Sequence, residues 1–214
     1  YQLIPSSISI LLDKSSSVQN YVIPKLTLTY FDGFINHIKE KGGKLTVGSI
    51  GANSDKPFIA LSLLPSPIAP YKPKKNDFEN TYHFTKARRF YKNTTLPNYE
   101  KTYASWEKDT KQRLNSFKTR LEVLLNSEPT ELHTDIWNAL NRAKVYHESI
   151  PNSNQYTILV SDGIDDKNNK LQSSIPGLTI LVYGSENYSK SLETLNFKRV
   201  GDITDALKLL KASK

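Results

Sequence analysis

An apolar run that ends in an aspartate restricts the fold of this chain more than any other feature. Residues 8–12 (ISILL) are mostly aliphatic and lead directly into Asp13, and hydroxyl side chains follow at every second position, Ser15 and Ser17. A run of this length predicts a strand buried on both faces, as in a parallel sheet covered by helices. The polar residues then follow the carboxyl end of the strand, where ligands bind in open α/β sheets.

Strand-like and helix-like patterns alternate along most of the chain. We expect a helix that starts near Pro24 and ends at Gly42-Gly43, followed by an antiparallel hairpin. The predicted strands cover residues 8–13, 44–51, 58–64, 156–160, 178–183 and 197–200, and further helical segments cover 135–147, 191–195 and 203–210. This order predicts a Rossmann-like, doubly wound α/β fold, with a mostly parallel central sheet, one antiparallel edge strand and helices on both faces.

The alternation is interrupted by residues 65–130. We interpret the chain as a single domain, residues 1–214, with 65–130 as a basic, partly helical insertion. Four prolines within residues 65–73 predict an extended start, and residues 104–125 have the pattern of an amphipathic helix. Residues 65–125 contain 13 Lys and Arg against 6 Asp and Glu, so most of the formal net charge of +8 belongs to this segment.

Composition excludes several classes of protein and site. The chain has no cysteine, which excludes disulfides and thiolate metal sites. No apolar segment approaches the roughly 20 residues that span a bilayer, so we expect no transmembrane segment in this fragment. The sequence begins at Tyr1 and has no methionine, and we expect its natural start, with any signal peptide or anchor, to lie upstream. The sequence does not determine the cellular compartment of the protein, and we favour an extracytoplasmic (secreted or surface-anchored) location.

Three polar clusters lie at predicted junctions between elements. Asp13, Ser15 and Ser17 follow the first strand, Thr134 stands at the start of a helix, and Asp162 ends the strand of residues 156–160. Alternation on an extended loop would aim the first three side chains the same way. Two carboxylates and three hydroxyls are oxygen donors, which suit a hard cation such as Mg²⁺. The sequence therefore predicts a metal site.

Together these clusters resemble the metal-ion-dependent adhesion site (MIDAS) of the von Willebrand factor A (VWA) domain, which is also the integrin I-like domain. The resemblance covers nearly the whole chain except residues 65–130, a segment longer than the family usually has there. It implies that Ser15, Ser17 and Thr134 bind the ion directly, and that Asp13 and Asp162 act mainly through coordinated water. It also implies Mg²⁺ as the cofactor, with Mn²⁺ or Ca²⁺ as substitutes, and a carboxylate of a protein partner as a further ligand.

The predicted function is non-enzymatic, divalent-metal-dependent protein binding in adhesion or assembly. No catalytic or other cofactor-binding residue is predicted, because no glycine-rich phosphate loop or nucleophile elbow occurs. The alternative is a basic domain that binds nucleic acid or an anionic surface and has a purely structural metal site. Aromatic and basic residues interleave in the insertion, which fits a partner-specificity element that contacts protein, a structural elaboration, or a surface for single-stranded nucleic acid. A third possibility is that the chain is an accessory subunit of a larger assembly, such as a partner of an ATPase, and no residue pattern argues for or against it.

Each polar residue of the predicted site also has a structural interpretation. Thr134 alone would be the N-cap of its helix, and Asp162-Gly163 alone would be a turn. Asp165 and Asp166 are interpreted as a solvated acidic loop, or as residues that add negative charge near the ion or contact a partner.

Overall fold

A six-stranded sheet is the framework of the described fold. The computed structural model describes residues 3–15, 23–51, 57–128, 132–167 and 174–212. The strands are β1 (Ser6–Asp13), β2 (Gly43–Ile50), β3 (Ile59–Leu63), β4 (Asn154–Val160), β5 (Leu178–Val182) and β6 (Phe197–Val200). Their order is β3-β2-β1-β4-β5-β6, and every pairing is parallel except β2 with β3. The predicted α/β class with one antiparallel edge strand is confirmed.

Helices cover both faces of this sheet. The helices of the chain are α1 (Thr29–Lys41), α2 (Thr81–Phe90), α3 (Leu96–Asn126), α4 (Ile136–Glu148) and α5 (Ile203–Ala212). Those that pack on the sheet are α1, α4, α5 and the C-terminal half of α3. Ile8, Ile10 and Leu12 of β1 face a core shared with α1, α5 and the C-terminal half of α3, whereas Leu11 faces a second core with α4. All eight residues of β1 are buried, as expected for a central strand covered on both sides. None of the described helices combines the length and apolar character needed to cross a membrane.

Helix α1 begins later than the sequence pattern predicts. It starts at Thr29, after a turn in which the amides of Tyr30 and Phe31 donate to the carbonyls of residues 27 and 28. The predicted start near Pro24 is wrong, because Leu26 reaches the core from the segment before the helix. The predicted end is confirmed: Gly42 has φ of +76°, a conformation that glycine adopts without steric cost.

The chain divides into two compact units, one formed by the residues up to Pro65 and from Leu114 onward, and the other by Ser66–Arg113. The second unit begins with the extended proline-rich segment that the sequence predicts. It then contains α2, a π-helical turn (Tyr91–Thr95) and the first part of α3, so the helical region starts well before residue 104. The Leu96 amide donates to the Tyr91 carbonyl, which closes the π turn, and the next residue, Pro97, has no amide hydrogen to donate to the Asn93 carbonyl.

Candidate metal centre

Asp13 is joined to the neighbouring strand β4 at the carboxyl edge of the sheet. It is the last residue of β1 and is buried. Its Oδ2 accepts a hydrogen bond of 2.6 Å from Ser161 Oγ, and its Oδ1 accepts one of 2.9 Å from the Ser15 amide. The parallel register pairs Leu12 with Val160, and the next residue along each strand is therefore Asp13 and Ser161. Asp13 is thus held by its own loop and by a residue 148 positions away.

Asp162 follows Ser161 and is completely buried. Its Oδ1 accepts a hydrogen bond of 2.9 Å from the Ile164 amide, across a turn in which Gly163 has φ of +83°. The Ser161 hydroxyl also accepts a hydrogen bond of 2.9 Å from the Gly163 amide. Ser161 therefore links the first and third predicted clusters. Sequence reasoning missed this residue, although a hydroxyl directly before a strand-terminal Asp-Gly is a signal that could have identified it.

Thr134 is completely buried, and its Oγ1 has no hydrogen-bond partner among the residues that the structure describes. The N-cap of α4 is Asp135, whose Oδ1 accepts a hydrogen bond of 3.0 Å from the Asn138 amide. The interpretation of Thr134 as the cap is therefore wrong. A buried hydroxyl without a partner costs about 1–3 kcal/mol, so such groups in native proteins usually meet a ligand, an ion or a water molecule.

Asp165 and Asp166 hold the loop after β4 against the start of α4. Asp165 Oδ1 accepts a hydrogen bond of 2.9 Å from the Ile136 amide. Asp166 accepts one of 3.3 Å from the Thr134 amide through Oδ2, and its own amide donates to the Thr134 carbonyl over 3.1 Å. Carboxylates at a helix N-terminus also interact favourably with the helix dipole. Both residues thus connect the Thr134 segment to the Asp162 loop.

The loop after β5 supports the same edge. The Ser185 amide donates to the Asp162 carbonyl and the Ser189 amide donates to the Gly163 carbonyl, each over 2.8 Å. In return, Ser189 Oγ accepts a hydrogen bond of 3.1 Å from the Asp165 amide. These serines have no distinctive sequence pattern, and only the adjacency of β4 and β5 identifies them as supports of the predicted site.

The structure thus places four of the five predicted ligands on loops that meet at one edge of the sheet. Ser15 is buried two residues beyond Asp13, and its amide bonds to that carboxylate. The fifth, Ser17, lies outside the described residues. Burial raises the pKa of Asp13, hydrogen bonds from Ser161 and Ser15 lower it, and the nearby Asp162 raises it further. A cation at this edge would offset the electrostatic cost of two buried carboxylates.

The described side chains at this edge are carboxylates and hydroxyls, which are oxygen donors of the kind that hard cations take. Within the described residues, no group of three or more His, Cys, Asp or Glu side chains is arranged to hold a metal ion. Two of the histidines serve the core: His37 Nε2 lies 2.8 Å from Ser6 Oγ, and His147 lies between Ser7 Oγ at 2.8 Å and Thr157 Oγ1 at 2.9 Å. Burial lowers the pKa of His147 to about 4, so it is neutral near pH 7.

Comparison with known proteins adds one distant structural similarity. No family model and no curated protein matches the sequence. Among solved structures, proximal thread matrix protein 1 from the mussel byssus aligns with 98% of this chain and 47% of its own, at 14% identity and a TM-score of 0.46. The chain therefore spans about half the length of that protein. The function proposed below rests on the residues of the site.

Proposed function

We propose that this chain is a non-enzymatic, divalent-metal-dependent protein-binding module of the VWA type. In this proposal Mg²⁺ is held at the carboxyl edge of the sheet, and a carboxylate of the partner protein completes its coordination. The residues that would hold the ion are Asp13, Ser15, Ser17, Thr134 and Asp162. The VWA assignment is supported by the motif order together with the α/β topology, and the extracytoplasmic location stays a prediction.

The Thr134 hydroxyl is the observation that carries this proposal. It is completely buried and lacks a hydrogen-bond partner within the described part of the chain. The loop that contains it is bonded to the loop of Asp162, and Ser161 beside Asp162 is bonded to Asp13. A metal ion would accept the lone pair that no described donor uses. Hydroxyl oxygens of this kind are suitable ligands for Mg²⁺.

The carboxylates of the site are oriented by hydrogen bonds, as a metal-binding role requires. Asp13 accepts hydrogen bonds from Ser161 and Ser15, and Asp162 accepts one from Ile164, so both carboxylates are oriented by neighbours, as groups around metal sites commonly are. A bound dication would act as a Lewis acid toward an incoming carboxylate. If neutral hydroxyls and water contact the ion directly, it keeps most of its charge and binds that carboxylate strongly.

Thermal unfolding with Mg²⁺ and with EDTA tests the metal site. The native protein should melt at a higher temperature in Mg²⁺, since an ion that binds only the folded state stabilises it. Thr134→Val keeps the shape of the side chain but removes the hydroxyl, and its melting temperature should be the same in both conditions. Thr119→Val, at an exposed position on α3, is the matched control and should respond like the native protein. An unchanged native melting temperature would reject the site.

Peptide selection tests the predicted partner chemistry. A displayed library of random peptides, bound in Mg²⁺ and eluted with EDTA, should yield peptides that contain Asp or Glu. Replacing that residue by Asn or Gln should abolish binding, and Asp13→Ala in this protein should do the same. Retention of these peptides in EDTA would show that the metal is not the contact.

The competing proposal is a nucleic-acid or anionic-surface binder with a purely structural metal. It is supported by the exposed cations of the second unit, including Lys86, Arg88 and Arg89. Salt-dependent binding of an oligonucleotide that is lost when these three residues are neutralised would favour it, since release of counterions makes such binding steeply dependent on salt.

A further inference from the structure

The second unit, Ser66–Arg113, contains helices but almost no buried side chain. All of its residues are described, Thr110 is the one buried member, and none of them belongs to either hydrophobic core. An isolated helix of ten residues, the length of α2, is marginal in water, because most helical stability in proteins comes from packing of an apolar face. These helices therefore have apolar surface that remains to be buried.

Helix α2 has an inner and an outer side. Phe84, Ala87 and Tyr91 are half-buried, and the Phe84 ring lies 6.1 Å from that of Phe78. Residues three or four positions apart share a side of a helix, so these three mark the side that packs within the unit. The opposite side is the one left open.

This open side combines two large rings with two cations. The spacing along α2 places four side chains on this side of the helix: Tyr82, Lys86, Arg89 and Phe90. Tyr82 is 71% exposed and Phe90 is 62% exposed, and both cations are exposed. Tyrosine, phenylalanine and arginine are enriched at protein interfaces, where such rings fill pockets on the partner. We call these four residues the α2 face.

The charge around the α2 face has one sign. Residues 80–99 contain four cations, Lys86, Arg88, Arg89 and Lys92, and no Asp or Glu. Among the described residues, none of these cations forms an ion pair. The field of this segment would attract a negatively charged surface and repel a positive one.

We propose that the α2 face is a docking surface for an acidic protein, which takes Tyr82 and Phe90 into apolar pockets and pairs Lys86 and Arg89 with carboxylates. The spacing of the four residues corresponds to the way an amphipathic helix binds a groove on its partner. This surface acts independently of the metal site, so either proposal can fail without the other.

A protein fits this surface better than a nucleic acid or a second copy of the chain. The two large exposed rings of the α2 face, Tyr82 and Phe90, suit apolar pockets of a folded protein. The rings of Tyr82 and Phe90 are about two helical turns, roughly 12 Å, apart, whereas single strands place successive bases on neighbouring aromatic platforms. The unit has eleven Lys and Arg, a net charge of +6, and two copies would repel each other.

Selection from displayed random peptides, carried out in EDTA with the full chain, tests the proposal. We expect enriched peptides to be acidic, with apolar residues at helical spacing. Tyr82→Ser/Phe90→Ser and Lys86→Glu/Arg89→Glu should each weaken their binding at least tenfold. The matched controls Ile68→Ser and Lys108→Glu/Lys111→Glu, at exposed positions outside the α2 face, should change it less than twofold.

A charge-exchange experiment distinguishes loss of the contact from loss of the fold. A peptide whose carboxylates are replaced by lysine should bind Lys86→Glu/Arg89→Glu and not the native protein. Absence of enriched peptides, or equal binding to the α2-face variants, would overturn the proposal. Binding of a single-stranded oligonucleotide that the same variants abolish would replace the proposed partner with a nucleic acid. If sedimentation shows that the native protein is a dimer and that these variants are monomers, the partner of the α2 face would be a second copy of the chain.

Discussion

Ser161 donates a hydrogen bond of 2.6 Å from Oγ to Oδ2 of Asp13, and this bond joins the ends of the two central strands. The same hydroxyl accepts from the Gly163 amide, so one side chain sets the geometry of both carboxylate loops. Because neither partner is exposed, the bond also satisfies a carboxylate oxygen that would otherwise be buried without a donor.

Ser161→Ala should therefore weaken Mg²⁺ binding and destabilise the fold. Loss of a residue that orients metal-associated carboxylates typically lowers metal affinity by about 10–100-fold. Asp13 Oδ2 would also lose its hydrogen-bond donor, which should lower the free energy of unfolding by about 1–3 kcal/mol. Calorimetric titration with Mg²⁺ and urea unfolding measure the two effects. Ser153→Ala, whose hydroxyl donates to a loop carbonyl away from this edge, is the control. Unchanged Mg²⁺ affinity in Ser161→Ala would contradict the role of this residue.

Asp165→Ala should weaken the connection between the start of α4 and the Asp162 loop, which Asp166 would still bond to Thr134. The substitution removes the acceptor of the Ile136 amide at the start of α4, and we expect a loss of about 1–2 kcal/mol in the free energy of unfolding together with lower Mg²⁺ affinity. Titration with Mg²⁺ at matched folded fraction measures the second effect. Asp109→Ala, an exposed carboxylate in an i,i+4 pair with Arg113, should change neither quantity appreciably. An effect on stability alone would show that the bond does not position Thr134.

His147 should make the fold sensitive to acid. Its pKa is lowered by burial from 6.5 to about 4, so between these values the unfolded chain binds a proton that the native protein does not. The free energy of unfolding should consequently fall as pH decreases from 6.5 to 4, by roughly 3 kcal/mol from this residue. Urea unfolding across this range, in EDTA, measures the dependence. His147→Gln should reduce the slope, whereas exposed His83→Gln should not, and parallel slopes for all three proteins would contradict the assignment.

Phe117→Ala should show that the C-terminal half of α3 belongs to the core. Phe117 is buried within the core that contains β1, and removing its ring should cost about 3–5 kcal/mol in the free energy of unfolding. Val123→Ala on the same helix changes an exposed side chain and should cost less than about 0.5 kcal/mol. Denaturant unfolding compares the two. Equal, small effects would place this half of α3 outside the core.

The residue types of the sequence predicted which helices and strands occur more reliably than they predicted where each one begins and ends. The aliphatic run before Asp13 identified β1, and Gly42 identified the end of α1, because burial and positive φ each restrict the residues that can occupy such positions. The start of α1 was misplaced because Pro24 suits a first helical turn, while the burial of Leu26 before the helix decided the actual path. Tertiary packing overrode a local preference there.

The candidate site was only partly predictable for a related reason. Asp13, Ser15 and Asp162 lie at or just after strand ends and Thr134 precedes a helix, and these placements can be inferred from periodicity alone. The sequence could not show that Asp135, rather than Thr134, caps α4, since both residue types serve as caps and the backbone geometry selects one. It also could not show that Ser161 bonds to Asp13, because strand neighbours are set by the topology of the sheet.

The sequence by itself determined the α/β class, the order of the strands along the chain and the oxygen-rich chemistry at their ends, because hydrophobic periodicity and side-chain type are local properties. Only the tertiary structure decided which strand ends meet, that the Thr134 hydroxyl is buried without a described partner, and that the α2 face remains exposed. These properties depend on contacts between residues far apart in the chain, such as Asp13 and Ser161, and no local pattern encodes them.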